Sequence, residues 1–153
     1  MKIKYIVGDL FKTDITHIIH GCNAQGVMGS GVAAIIRQQF PQAYYGYRDL
    51  WSVGTQSTVG DIQFFPAHDK VIINAITQEF YGGAGLRWCS YDGIAEALSQ
   101  IDTELEKQGI TEVAMPMIGA GLAGGDWNVI EKIIESEMKM VQPVVYMLED
   151  LRI

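Results

Sequence analysis

The sequence predicts an α/β domain with a central mixed, mainly parallel sheet covered by helices on both faces. Two observations predict it. Short apolar runs alternate with stretches of helical periodicity along the whole chain, a pattern that parallel strands with helical crossovers produce. Glycine-rich segments also follow directly on two of those runs, where a strand hands over to a helix.

Taken in order, residues 2–7 alternate charged and apolar side chains and end at Gly8-Asp9, which reads as a first strand. Residues 14–20, with Ile15, Ile18 and Ile19, read as a second. Residues 31–40 have helical propensity and stop at Pro41, and residues 42–53 read as a further short helix. Residues 61–65 and 71–76 read as strands around the turn Pro66-Ala67-His68-Asp69.

From Ser90 to about Gln108, Ile94, Ala97, Leu98, Ile101 and Leu105 recur at helical spacing, with Ser90 as N-cap and Gly109 as the stop. Residues 112–115 form a short buried strand before Pro116. Residues 127–140 form a helix carrying Val129, Ile130, Ile133 and Ile134, and residues 144–148 a last strand. No linker, repeat or low-complexity segment interrupts the series, so the expectation is one domain over residues 1–153.

Composition narrows the function classes. The longest apolar runs fall far short of the ~20 residues that span a bilayer, and Gly8-Asp9 ends the N-terminal run before a signal-peptide core of ~7 or more apolar residues is reached. Cys22 and Cys89 belong to no metal-ligand cluster and make a weak disulfide case, so reduced thiols and a cytoplasmic setting are expected. A formal net charge of -7 disfavours long nucleic acid as a partner, which demands clustered Lys and Arg. Phosphates can still be held by backbone N–H groups. The chain is expected to act as a monomer with no membrane partner, no metal and no cofactor.

Eleven of the 17 glycines lie in residues 21–31, 82–85 and 119–125, more clustering than turns require. Without Cβ the backbone approaches a phosphate closely, so the clustering points to ligand contact. The first and third clusters, each placed between a strand and a helix, are expected to face each other as two anion sites fit for a diphosphate. Familiar nucleotide motifs do not explain them. Gly26-Val27-Met28-Gly29-Ser30-Gly31 lacks the Lys of a P-loop, and Gly119-Ala120-Gly121-Leu122-Ala123-Gly124 has GxGxxG spacing but lies near the C-terminus instead of in a first βαβ unit.

The segments Gly8-Asp9-Leu10, Ile18-Ile19-His20-Gly21-Cys22-Asn23-Ala24-Gln25-Gly26-Val27-Met28-Gly29-Ser30-Gly31-Val32-Ala33 and Pro116-Met117-Ile118-Gly119-Ala120-Gly121-Leu122-Ala123-Gly124-Gly125-Asp126-Trp127, in that order, resemble a macrodomain. More narrowly, they are similar to the yeast and phage branch described as ADP-ribose 1''-phosphate phosphatases. The resemblance implies a three-layer α/β/α fold and a ligand that is ADP-ribose or ADP-ribose 1''-phosphate.

It further implies that Asp9 accepts a hydrogen bond from the adenine amino group, with Gly8 and Leu10 beside it. Asn23 and the Gly29-Ser30-Gly31 backbone would hold the distal ribose and a diphosphate oxygen, and the loop Gly119-Ala120-Gly121-Leu122-Ala123 would wrap the other side, with Cys22, Ala24, Val32, Ile118 and Gly124 as further ligand contacts beside them. Phe80 or Tyr81 would cover the distal ribose.

Each assignment has a plainer counterpart. Asp9 also suits a turn or a helix cap, Asn23 an αL-tolerant turn and Ser30 a helix cap, while Phe80 and Tyr81 also suit simple packing. His20 and Asp126 are the candidate catalytic pair, an imidazole able to act as acid or base near neutral pH and a carboxylate able to orient water. His20 also reads as a strand-end histidine bonded to a carbonyl, and Asp126 as the cap of the helix at Trp127.

The activity this implies is hydrolysis of ADP-ribose 1''-phosphate to ADP-ribose and phosphate. Binding of ADP-ribose without turnover, and removal of ADP-ribose from protein or nucleic acid, stay open beside it. The chain departs from macrodomains that work through a lysine adduct: the Lys region falls near Gln78-Glu79 and its partner Asp at Ala123.

Overall fold

In a computed structural model, which describes residues 1–29, 31–52, 58–83 and 85–149, six strands and four α-helices form three layers. The strands are β1 Lys4–Val7, β2 His17–Asn23, β3 Ile62–Ala67, β4 Lys70–Gln78, β5 Glu112–Met115 and β6 Gln142–Met147. The helices are α1 Gly31–Gln39, α2 Pro41–Ser52, α3 Tyr91–Lys107 and α4 Trp127–Glu137. The sheet order is β1-β6-β5-β2-β4-β3. Every neighbouring pair is parallel except β3 with β4, so the expected mixed, mainly parallel sheet is present.

Both faces of the sheet are apolar and each has its own helical cover. Ile19, Ile73, Val113, Met115 and Val145 pack against Ile94, Leu98 and Ile101 of α3 and Ile130 and Ile134 of α4. Ile18, Ile72, Ile76 and Ala114 pack on the other face against Ile36 of α1 and Ala43 and Tyr47 of α2. Alternate residues of one strand thus serve opposite cores, as a doubly covered sheet demands.

Local chemistry fixes the element ends. Ser90 caps α3, its Oγ accepting the Gly93 N–H at 3.0 Å. Pro41 both closes α1 and occupies the first turn of α2, where its missing N–H costs nothing. Of the helix expected over residues 42–53, Val53 lies outside the described residues.

Two strands run further than expected, and the difference shapes the site. The second strand was expected to end at His20, yet Gly21 pairs with Ala75, Cys22 with Ile76 and Asn23 with Gln78, with a register shift between Cys22 and Asn23. Its partner β4 likewise continues through Thr77 and Gln78. The first glycine cluster therefore begins inside the sheet. A Cβ on Gly21 would lie 2.8 Å from Thr77 Oγ1, so the glycine permits the close approach of these two strand ends. Among the described residues no helix is long and apolar enough to cross a membrane, and Cys22 and Cys89 are free thiols.

Candidate functional site

A cavity of about 510 Å³ opens where β2, β4 and β5 end, the carboxyl edge of the sheet where ligands settle in such folds. Its floor is Gly21, Cys22 and Asn23 from β2 with Thr77 and Gln78 from β4. One wall is Val27, Gly29 and the first turn of α1, the other is the segment 116–123. The opening turn of α1 carries backbone N–H groups without helical partners, together with the positive end of the helix dipole.

The wall between β2 and α1 is held by side chains of its own and by one from α2. Asn23 Oδ1 accepts the Gln25 N–H at 2.9 Å and the Val27 N–H at 3.4 Å, while Asn23 Nδ2 donates to the Val27 carbonyl at 2.8 Å. The Tyr47 hydroxyl lies 2.7 Å from Asn23 Oδ1, also meets the Asn23 carbonyl, and accepts the Gly26 N–H at 3.0 Å. Tyr47 is fully buried, and burial raises its pKa so that the phenol keeps its proton. Sequence reasoning missed this residue. A signal existed: Phe40, Ala43 and Tyr47 share one face at helical spacing, and a phenol sent into a core must find a polar partner.

The opposite wall is a 3-10 turn, Gly121–Ala123, closed by Gly124 at φ 74°. A Cβ on Gly124 would come within 2.2 Å of the Leu86 carbonyl oxygen, so the turn and the β4–α3 connection lie in direct backbone contact. The Ala123 carbonyl accepts the N–H groups of Trp88 at 2.7 Å and Cys89 at 3.1 Å, tying the two segments together.

Of the two anion sites expected to face each other, only the first brings a helix start to the cavity. The start of α1 lines the cavity, but α4 begins at Trp127 outside it, and the Asp126 carboxylate already occupies that helix end by accepting the Asn128 N–H at 2.9 Å. Two backbone walls remain, one of which includes a helix start. Among the described residues the lining carries no Asp, Glu, Lys, Arg or His.

A family model for the Macro domain matches residues 19–134. The chain belongs to the macrodomain family. It is 29% identical to a protein of Debaryomyces hansenii named ADP-ribose 1''-phosphate phosphatase, over 86% of this chain and 92% of that one. It is 26% identical to the Bos taurus ADP-ribose glycohydrolase OARD1, over 88% of this chain and 82% of that one. Among solved structures, the macrodomain of Mycobacterium tuberculosis DarG superposes with a TM-score of 0.82 at 26% identity, covering 94% of this chain and 96% of that one.

Within this macrodomain the expected ligand residues separate into two groups. Cys22 and Asn23, Gly29, Gly31 and Val32, the run of residues 118–123 and Tyr81 all line the cavity. Ala24, Phe80 and Gly124 adjoin that lining in sequence without belonging to it. Gly8, Asp9 and Leu10 stand at the end of β1, on the same edge of the sheet but outside the lining. Asp9 Oδ1 accepts the Phe11 N–H at 2.9 Å and caps the 3-10 turn Leu10–Lys12, the plainer of the two roles open to it. Ser30 lies outside the described residues. Of the positions where the lysine-adduct Lys and Asp are expected to fall, near Gln78-Glu79 and at Ala123, Gln78 and Ala123 line the cavity.

The candidate catalytic pair is not brought together at the cavity. His20 is 1% exposed, points into the α1–α2 side of the core and places Nε2 2.6 Å from Asn74 Oδ1. Burial lowers its pKa to about 4, against a smaller upward pull from Asn74, so the imidazole is neutral near pH 7. Asp126 is exposed at the head of α4, its N–H donating to the Tyr91 hydroxyl at 3.0 Å. Cys22 does line the cavity, but burial raises its thiol pKa and removes thiolate character.

Proposed function

We propose that this macrodomain binds ADP-ribose in the cavity and hydrolyses ADP-ribose 1''-phosphate to ADP-ribose and phosphate. The observation that carries the binding part is the shape and chemistry of the lining: two backbone walls, one of them including the first turn of α1, around about 510 Å³, with no side-chain charge among the described residues. Backbone N–H groups suit a diphosphate, and Asn23, Thr77, Gln78 and Tyr81 supply the side-chain polarity that sugar hydroxyls need. The ends of the chain's two loops, residues 29–32 and 118–123, are the proposed ligand contacts, with Asp9 proposed at the adenine end.

The phosphatase part rests on the relatives that carry this name. In that reaction water attacks phosphorus, the bond from phosphorus to the C1'' oxygen breaks, one of the water's protons passes by way of a phosphate oxygen to the departing C1'' oxygen, and the other stays on the released phosphate. A phosphate monoester, with its second pKa near ~6, is itself a competent base at neutral pH. Backbone donors stabilise the charge that spreads over the transferred group.

One observation favours a second reading, binding without turnover: His20 and Asp126 lie outside the lining. Incubating the pure protein with ADP-ribose 1''-phosphate and assaying free phosphate separates the two. Phosphate release above that of the uncatalysed reaction establishes the hydrolase, and tight calorimetric binding of ADP-ribose with no release establishes the binder. Failure to bind ADP-ribose at all refutes both.

A further inference from the structure

The floor of the cavity contains a hydroxyl that the described residues leave unused. Thr77 is 2% exposed and lines the cavity between the ends of β2 and β4. Its carbonyl accepts the Ser90 N–H at 2.7 Å, but its Oγ1 makes no hydrogen bond to any described residue. Every fully covered side-chain N and O among the described residues has a partner. The hydroxyl therefore keeps its access through the cavity. It faces Gly21, where a Cβ would lie 2.8 Å from Oγ1, so the missing side chain at residue 21 leaves the space into which the hydroxyl points.

We propose that Thr77 Oγ1 is a ligand contact that accepts a hydrogen bond from a hydroxyl of the distal ribose. This rests on the reading of the cavity as an ADP-ribose site. Ribose hydroxyls donate as well as accept, and the backbone N–H groups that suit a diphosphate cannot accept from them. Asn23, the residue proposed beside the distal ribose, has an Oδ1 that already accepts from Gln25, Val27 and Tyr47. Register pairs Asn23 with Gln78, which sets Thr77 next to it across the strand boundary. A threonine hydroxyl both accepts and donates, and it is held here on two paired strands instead of on a mobile loop.

Calorimetry with ADP-ribose and with ADP, which lacks the distal ribose, tests the assignment on Thr77→Val and Thr77→Ser, with thermal melts to confirm folding. Valine keeps the shape and removes the hydroxyl. Thr77→Val is expected to weaken ADP-ribose binding about tenfold, the effect of one hydrogen bond, with ADP unchanged. Thr77→Ser should restore most of the affinity. Gly21→Ala, which drives a methyl onto Oγ1, should reproduce the selective loss by a different route.

Equal ADP-ribose affinity in wild type and Thr77→Val overturns the proposal, and so does a loss shared equally by ADP. Wild-type protein that binds neither ligand refutes the ADP-ribose site itself and this contact with it. Wild-type binding with an indifferent Thr77→Val removes only this contact.

Discussion

Acidification from pH 7 to pH 5 should destabilise this protein by about 2 kcal/mol through His20 alone. The side chain is 1% exposed on β2, and Asn74, its partner at 2.6 Å, is anchored in turn by donating to the Ala43 carbonyl at 3.2 Å. A neutral imidazole fits that site and an imidazolium does not, so the folded pKa falls from 6.5 to about 4. The sign follows from linkage: between these values the unfolded chain binds a proton that the folded chain refuses, and stability drops as pH falls. With these two values the loss between pH 7 and pH 5 is about 2 kcal/mol, and it approaches ~3 kcal/mol near pH 4.

Urea unfolding at the two pH values measures it. A slope of 1–3 kcal/mol per molar turns 2 kcal/mol into a fall of about 1 M in the midpoint. Burial lowers the pKa of His17 as well, so the control is His20→Gln, which retains a hydrogen-bonding group and cannot titrate. The variant should lose about 2 kcal/mol less than wild type over the same interval. An identical pH dependence in both proteins refutes the buried-neutral account. Loss of phosphate release in a stably folded His20→Gln would return His20 to the chemistry.

Tyr47→Phe removes the phenol that accepts the Gly26 N–H and meets Asn23; leaving those groups short of a partner should cost about 1–3 kcal/mol by denaturant melts and weaken ADP-ribose binding by calorimetry. Unchanged affinity would show that the wall keeps its shape without α2. Asp126→Ala should cost about 1 kcal/mol as a lost helix cap while phosphate release continues; abolished release at unchanged stability would make Asp126 catalytic. With a net charge of -7 and no cation in the described lining, ADP-ribose affinity should hold or improve as salt rises from low to physiological strength, because screening weakens the overall repulsion. A steep fall in calorimetric affinity with salt would expose a cationic contact.

Most of the fold was legible because period and punctuation agree along the chain. The spacing from Ile94 to Leu105 and the cap at Ser90 define α3 within a residue at each end. The ends of β2 and β4 were less legible, since Gly21, Asn23, Thr77 and Gln78 carry none of the apolar pattern that marks a strand. Their extended conformation is set by pairing across the sheet, a non-local fact. The same limit applies to the site. Glycine clustering marked both walls, whereas Tyr47 reaches the first wall from a helix 24 residues away in sequence from Asn23. For Asp126 the sequence held both roles in view, and the 2.9 Å contact to the Asn128 N–H shows the cap.

Binding and turnover make different demands on this architecture. A diphosphate is recognised by donors whose positions are fixed by the backbone, and here those positions are enforced by Tyr47 on one wall and by the Ala123 carbonyl with Gly124 on the other. Neither device titrates near neutral pH, so recognition should persist across the range in which the fold survives. Turnover needs a proton to move, and the described lining offers no carboxylate, imidazole or ammonium to move it. If phosphate is released, its pH dependence should therefore follow the ionisation of the substrate's own phosphate near ~6, with activity rising as the monoester becomes a dianion able to take the water's proton. A rate that instead tracks a group of another pKa, and loses that dependence in one variant, would identify the protein base directly.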